Sequence, residues 1–391
     1  MDKLDGILRA YPWGSHSLLA QLQGRPVPAG QPEAELWFGA HPSGPSQING
    51  TGLDEVIAAD PIHALGGRVA GEFGGKLPFL LKLLAADEPL SIQAHPSKEQ
   101  AEEGFERENA EGLALGDPNR NYRDANHKPE LIVALTEFHA LAGFRPLERT
   151  QELFDALSCP ILDRYAAMID PAAEAESLRA LFTTWISIPS SLREELVSAV
   201  REKALGRSED ETWIGRTARN FLAIADKYPN DAGSLASLLL NHVVMQPGQA
   251  LYLSAGQLHA YLRGLGVEIM ANSDNVLRGG LTSKHVDVPE LVRILDFTPS
   301  PEPFAGVTSG GGAELFDVPC PDFELSRHRL APAAATPLAS DGPAILLCTS
   351  GTVTAAGISL GQGEAAWIPA GEKDVQAVAG AGGCELFHAT A

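Results

Sequence analysis

Apolar spacing changes texture twice along the chain, and the changes divide it. Up to about residue 145, short apolar runs bounded by Gly and Pro turns predict strands. Leu77-Pro78-Phe79-Leu80-Leu81-Lys82-Leu83-Leu84 is one such run, with Lys82 its only charge. A lysine there must be paired or working, since burying it alone is costly. A second run, Leu131 to Leu135, is opened by Glu130. From 146 to 237 the spacing turns helical. Leu192, Leu196, Ala199 and Val200 share a face after a capping-box candidate, Ser191-Leu192-Arg193-Glu194. Trp213, Thr217, Phe221 and Ala225 do the same until Pro229-Asn230-Asp231 stops the segment. From 238 onward the β texture returns and repeats itself. Residues 245–256 are echoed by 360–371, Gly248 by Gly363 and Ala250 by Ala365, at a constant offset of 115 (363 − 248). A turn-strand-turn unit found twice predicts two related antiparallel barrels.

A chain of 391 residues exceeds one compact core, so two or three domains are expected. The formal charge of −21 argues against nucleic acid and anionic membrane as partners. An anionic substrate would need a locally basic pocket, and Lys82, Lys128, Arg278 and Lys284 are available to build one. No run of about 18 apolar residues predicts a membrane span. The acidic start, Met1-Asp2-Lys3-Leu4-Asp5, does not read as a signal peptide. Cys159, Cys320, Cys348 and Cys384 are scattered without a CxxC pair, so reduced thiols in a cytoplasmic protein are expected.

Metal-ligand chemistry stands in three places. Gln93 and His95 flank Ala94 and share a face if the segment is extended. Glu130 follows Asn126-His127-Lys128-Pro129, and Lys128 shares its face. His259 lies just past a predicted strand and turn. Two imidazoles, a carboxylate and an amide oxygen suit a divalent metal such as zinc. His127, His139, His242 and His285 receive no role.

The words around these residues resemble a known family. Tyr11-Pro12-Trp13-Gly14, Ala34-Glu35-Leu36-Trp37-Phe38-Gly39-Ala40-His41-Pro42 and Pro89-Leu90-Ser91-Ile92-Gln93-Ala94-His95-Pro96 carry the resemblance. So do Asp124-Ala125-Asn126-His127-Lys128-Pro129-Glu130 and the long block from Glu268 to His285. Together they resemble the type I phosphomannose isomerases, zinc enzymes of the cupin superfamily. The resemblance implies a mainly β fold with a helical insert, built as two cupin-like jelly-roll barrels plus an α-helical domain. The expected division is a catalytic barrel over 1–145 and 238–300, a helical insert over 146–237 and a metal-free barrel over 301–391. It further implies one zinc per chain on Gln93, His95, Glu130 and His259, with Arg278 the essential arginine. Lys82, Lys128, Asp274 and Lys284 fall on pocket positions, and His41 is assigned to substrate binding. Two departures bear on loop geometry: Gln257-Leu258 where the family usually has Pro before the histidine, and Gly279 where Ala is common.

The implied reaction interconverts mannose 6-phosphate and fructose 6-phosphate through a cis-enediolate, serving GDP-mannose supply and mannose catabolism. A zinc with one carboxylate and three neutral ligands keeps a charge near +1 and can stabilise a developing oxyanion. A permanent planar cation at Arg278 suits the same oxyanion or the phosphate. Glu268, flanked by apolar residues, is the first choice of base, with Asp274 and His41 as rivals. A monomer with a sugar-phosphate substrate is expected. Two alternatives are an iron-dependent cupin oxygenase and an inactive sugar-phosphate-binding bicupin.

Overall fold

The computed structural model describes residues 1–300, 303–310, 312–338 and 341–391. The expected boundary between 300 and 301 therefore abuts a residue outside the described set. The chain is mainly β, in two large antiparallel sheets with helices between and beside their strands.

The first sheet turns on one strand, His259–Ala271. Its residues 259–263 pair with Phe138–Phe144, while 264–271 pair with Phe79–Ala86 and, from 266, with Glu130–Ala134. The change of partner falls at Gly264, whose φ of 123° is open to glycine. A Cβ there would sit 2.7 Å from Glu137 O, so no other residue lets the backbones approach this closely. All of this strand but Arg263 is buried, so its sequence carries no alternation of apolar and polar positions.

The second sheet centres on Ala344–Ala355 and Gln376–Thr390. The repeated segments form four-residue strands, Ala250–Leu253 and Ala365–Ile368, each entered through a glycine with positive φ, Gly248 and Gly363. One pairing crosses the expected division. Asp2–Leu4 does not join the sheet of the other N-terminal strands; it pairs with Ala365–Ile368. Its Leu4 is buried in a core that both sheets share, with Leu81 and Val133 from one and Ile345 and Trp367 from the other.

Helices run from Leu147–Leu157 to Ala232–Ala236. Trp213–Lys227 is capped by Thr212 Oγ1 and buries Thr217, Phe221 and Ala225. The capping-box expectation at Ser191 fails: the helix is Ser190–Leu205, entered from Pro189, and Ser191 lies inside its first turn. Proline fixes an extended entry at φ −56° and ψ 144°, so the helix starts ahead of the Ser-x-x-Glu word. The region before 145 also holds helices that the strand-like reading passed over: Leu53–Ala59, Pro61–Glu72 and Lys98–Ala110. Among the described residues no helix is long and apolar enough to cross a membrane.

Candidate active site

Strand register assembles the site. Gln93, in the short strand Gln93–Ala94, lies between His259 on one side and Arg278 on the other. Glu130 opens its strand opposite Met270, further along the strand that His259 begins. His95, Glu130 and His259 thereby meet, each no more than 2% exposed, with one ligand atom apiece all within 4.8 Å. His95 Nε2 is 3.2 Å from Glu130 Oε1, and His259 Nε2 is 3.4 Å from Glu130 Oε2.

The outer nitrogens fix the inner ones. His95 Nδ1–H donates to Asn275 O at 2.7 Å, and His259 Nδ1–H donates to Gln257 O at 2.9 Å. Each neutral ring therefore turns its Nε2 lone pair inward. His95 Nε2 and Glu130 Oε2 are buried and have no hydrogen-bond partner among the described residues. Orphaned buried acceptors are costly, and a cation between them would satisfy both. Gln93 Nε2 lies 3.4 Å from His259 Nε2, and a 180° amide turn puts its carbonyl oxygen there instead. Two inward imidazole nitrogens, a carboxylate and an amide oxygen are a donor set that fits zinc.

Electrostatics match this reading. Burial alone would raise the Glu130 carboxyl, but Lys128, then His95 and His259, hold it well below the usual range. Lys128 Nζ stands 3.3 Å from Glu130 Oε1. Burial lowers His95 to about 4 against the opposing pull of Glu130, so its ring is neutral at pH 7.

A second buried group adjoins the first. Lys82 Nζ donates to Glu268 Oε2 at 2.7 Å and lies 4.0 Å from Glu35, which accepts from Trp37 Nε1. Burial opposes the charge on Lys82, yet Glu268, Glu35 and Glu130 together raise its pKa. Burial raises Glu268, Lys82 opposes, and Glu130 and Glu35 push it further up. Tyr261, two residues beyond His259, is buried, with no hydrogen-bond partner for its hydroxyl among the described residues; burial, then Glu268 and Glu130, raise its pKa well above normal.

Of the other expected residues, His41 and Asp274 line a separate cavity, and Arg278 and Lys284 do not. A cavity of about 880 Å³ is lined by His41, Asp274, Arg123, Asp124 and Lys98, with Asp322 from the C-terminal part of the chain. The three metal-site residues lie outside its lining. His41, 3.5 Å from the exposed Asp274, links the two regions: burial lowers its pKa, Asp274 opposes, and Lys82 and Lys128 lower it further. Arg278 is half-buried and pairs with no carboxylate among the described residues; burial, then Arg123, lower its pKa. Lys284 is exposed; partial burial, then Arg278 and Arg123, lower its pKa. Arg123, Glu35 and Tyr261 escaped the sequence reading. Tyr261 was accessible, since it shares a strand face with His259; the clustering of Arg123 with Arg278 needed the fold.

Comparisons with known proteins agree along the chain. Residues 1–147 match the family described as phosphomannose isomerase type I, catalytic domain, and residues 313–358 match its type I C-terminal counterpart. The chain is 40% identical over 388 residues to a mannose-6-phosphate isomerase of Escherichia coli K12, covering 96% of each. It is 36% identical over 385 residues to a human mannose-6-phosphate isomerase, covering 89% of this chain and 87% of that one. A solved mannose 6-phosphate isomerase bound with zinc and yttrium superposes with a TM-score of 0.90 at 37% identity, covering 100% of this chain and 99% of the other.

Proposed function

Because the chain belongs to the type I phosphomannose isomerase family, we propose that it interconverts mannose 6-phosphate and fructose 6-phosphate at the buried His95, Glu130 and His259 site. The observation that carries this reading is the pair of orphaned inward atoms, His95 Nε2 and Glu130 Oε2, next to an arginine without a carboxylate. Gln93, His95, Glu130 and His259 would hold one zinc ion, which when bound supplies Lewis acidity toward the sugar's carbonyl and C2 oxygens.

The protein's own groups divide the rest of the work. Glu268 takes the proton that moves between C2 and C1; its raised pKa makes it a better base than a free carboxylate. Lys82, bonded to it, holds its charge and orientation. Arg278, in register with Gln93, holds the developing oxyanion at the reacting end, while Arg123 and Lys284 extend the positive field outward for the phosphate. We read the two sheets as cupin-type jelly-roll barrels, the first including strands on both sides of the helical insert and the second holding no metal. A cytoplasmic monomer feeding mannose activation and mannose catabolism completes the proposal; the four free cysteines are consistent with a reducing compartment.

The test pairs zinc analysis of the purified protein with a coupled assay for fructose 6-phosphate made from mannose 6-phosphate. One zinc per chain with turnover is expected; one zinc without turnover would instead identify an inactive sugar-phosphate binder. Glu268→Gln should keep its zinc and lose roughly 10²–10⁴ in kcat. Near-normal turnover in that variant would move the base to His41, which lines the open cavity.

A further inference from the structure

Away from the metal, the helical segment meets the first sheet across a cleft of unusual charge. A cavity of about 530 Å³ there is lined by Arg145, Arg149, Arg216 and His242, with Trp213 forming one wall. No carboxylate lines it among the described residues. It adjoins a second cavity of about 390 Å³ that shares Arg216 and His242 and adds Arg219, Arg263 and His139. Asp87 lies on the wall of the second cavity, and Glu137 is engaged with His139 at 2.8 Å and Arg263 at 3.8 Å.

Among the described residues, none of the arginines lining the first cavity meets a carboxylate. Arg145 is buried, donates to the backbone carbonyls of Leu238 and Leu240 and lies 5.3 Å from the Trp213 ring centroid, with no carboxylate partner among the described residues. Burial, then Arg149, lower its guanidinium to about 9, as expected of a buried cation facing another cation and no acid. Arg149 lies over the Trp213 ring at 4.4 Å and makes no ion pair among the described residues. Arg216 reaches only a backbone carbonyl, that of Glu211, at 3.5 Å. His242 is lowered to about 3 by burial and then by His139, Arg145, Arg216 and Arg263. In a chain of net charge −21, gathering cations without carboxylates costs free energy that a bound anion would return. Arg149 and Arg216 are exposed and carry the free forked donors that match phosphoryl oxygens.

We propose that this cleft is a second binding site, separate from the metal centre, for a small solute carrying two or more phosphoryl groups. The volume also admits a nucleoside beyond the phosphates, falling within the roughly 300–1,000 Å³ of small-molecule sites.

The test is isothermal titration of the zinc-loaded full chain with inorganic pyrophosphate and, separately, with ADP. Saturable binding is expected, weakened at least tenfold in Arg149→Glu/Arg216→Glu, whose turnover of mannose 6-phosphate without added anion stays unchanged. The same charge reversal at Arg68 and Lys373, beside Asp341 and outside the cleft, should leave binding intact. ADP binding tenfold tighter than pyrophosphate assigns the site to a nucleotide, and equal affinity assigns it to the phosphoryl groups alone. No saturable binding by ~10 mM, equal binding in the cleft variant (as zinc chelation would give), or loss of binding in Arg278→Ala would each overturn the proposal. The turnover control rests on the isomerase reading; the binding readouts do not.

Discussion

Three carboxylates crowd one lysine beneath the metal-site residues, and this sets the stakes of single changes there. Lys82 bonds Glu268, lies 4.0 Å from Glu35 and feels Glu130. Lys82→Met leaves acids buried without their cation, a loss of about 3–5 kcal/mol for a broken buried pair. Adding Glu268→Gln removes one stranded charge and should recover at least half of that loss in urea unfolding; equal stability of single and double variants would show the pair uncoupled. A pH response belongs to a residue far from this site. His388 is buried in the C-terminal sheet, its Nε2 without a partner among the described residues, and burial, then His328, hold it near 4 rather than 6.5. Below pH 6.5 the unfolded chain takes up a proton that the folded chain refuses until about pH 4. Stability from this group is therefore complete above 6.5 and drains away as pH falls through that window. His388→Leu should leave stability at pH 7 unchanged or higher and shrink the loss by pH 4 by on the order of 3 kcal/mol. Urea midpoints at pH 7 and pH 4.5 measure this, and an unaltered pH slope would count against it.

At the scale of elements, legibility followed periodicity. Phe79–Ala86 and Glu130–Ala134 announce themselves as apolar runs, and Trp213–Lys227 as a helix with Phe221 and Ala225 on its buried face. Lys98–Ala110 shows no such stripe. It buries only Ala101, Gly104 and Glu108, because it packs through a glycine onto the Tyr122 ring, where a Cβ at 104 would come within 2.4 Å. Its one local signal is the capping box of Ser97 and Gln100, which a search for Ser-x-x-Gln after His95-Pro96 would have found. The strand His259–Ala271 was hidden for another reason: glycines at 264 and 266 break its pattern, and its change of partner is a tertiary event. The candidate metal-site residues stand in short words and Glu268 among apolar neighbours, whereas the pairing of Arg278 with Gln93 needed the fold. The Ser97 cap starts the helix two residues after His95, so Ser97→Ala should cost about 1 kcal/mol in global stability. The same variant should accelerate zinc loss to a chelator, because the cap anchors the loop that carries His95; unchanged release kinetics would confine the cap's role to the helix.

Over the whole molecule, the two sheets do not behave as separate bodies joined by a linker. Leu4, Leu81, Val133, Ile345 and Trp367 belong to one buried cluster, and the first strand of the chain completes the edge of the last sheet. His127, beside Lys128, meets Asp322 at 2.7 Å across the same junction, and Asp322 forms part of the cavity wall. Six of the first sheet's ten strands precede the helical segment and four follow it, so the whole site is not complete until residue 278 has been placed. This organisation makes unfolding cooperative across the chain. Deleting residues 2–5 removes the Asp2–Leu4 pairing and the burial of Leu4, worth about 1.5–3 kcal/mol. Calorimetry should show one transition for the full chain and one for the deletion, lower by about 2–5 °C. If the deletion instead split the trace, with a C-terminal transition falling while the zinc-dependent one stayed fixed, the shared core would not couple the sheets. Fused unfolding together with an unchanged kcat would place the N-terminal strand's contribution in holding the two halves together rather than in chemistry.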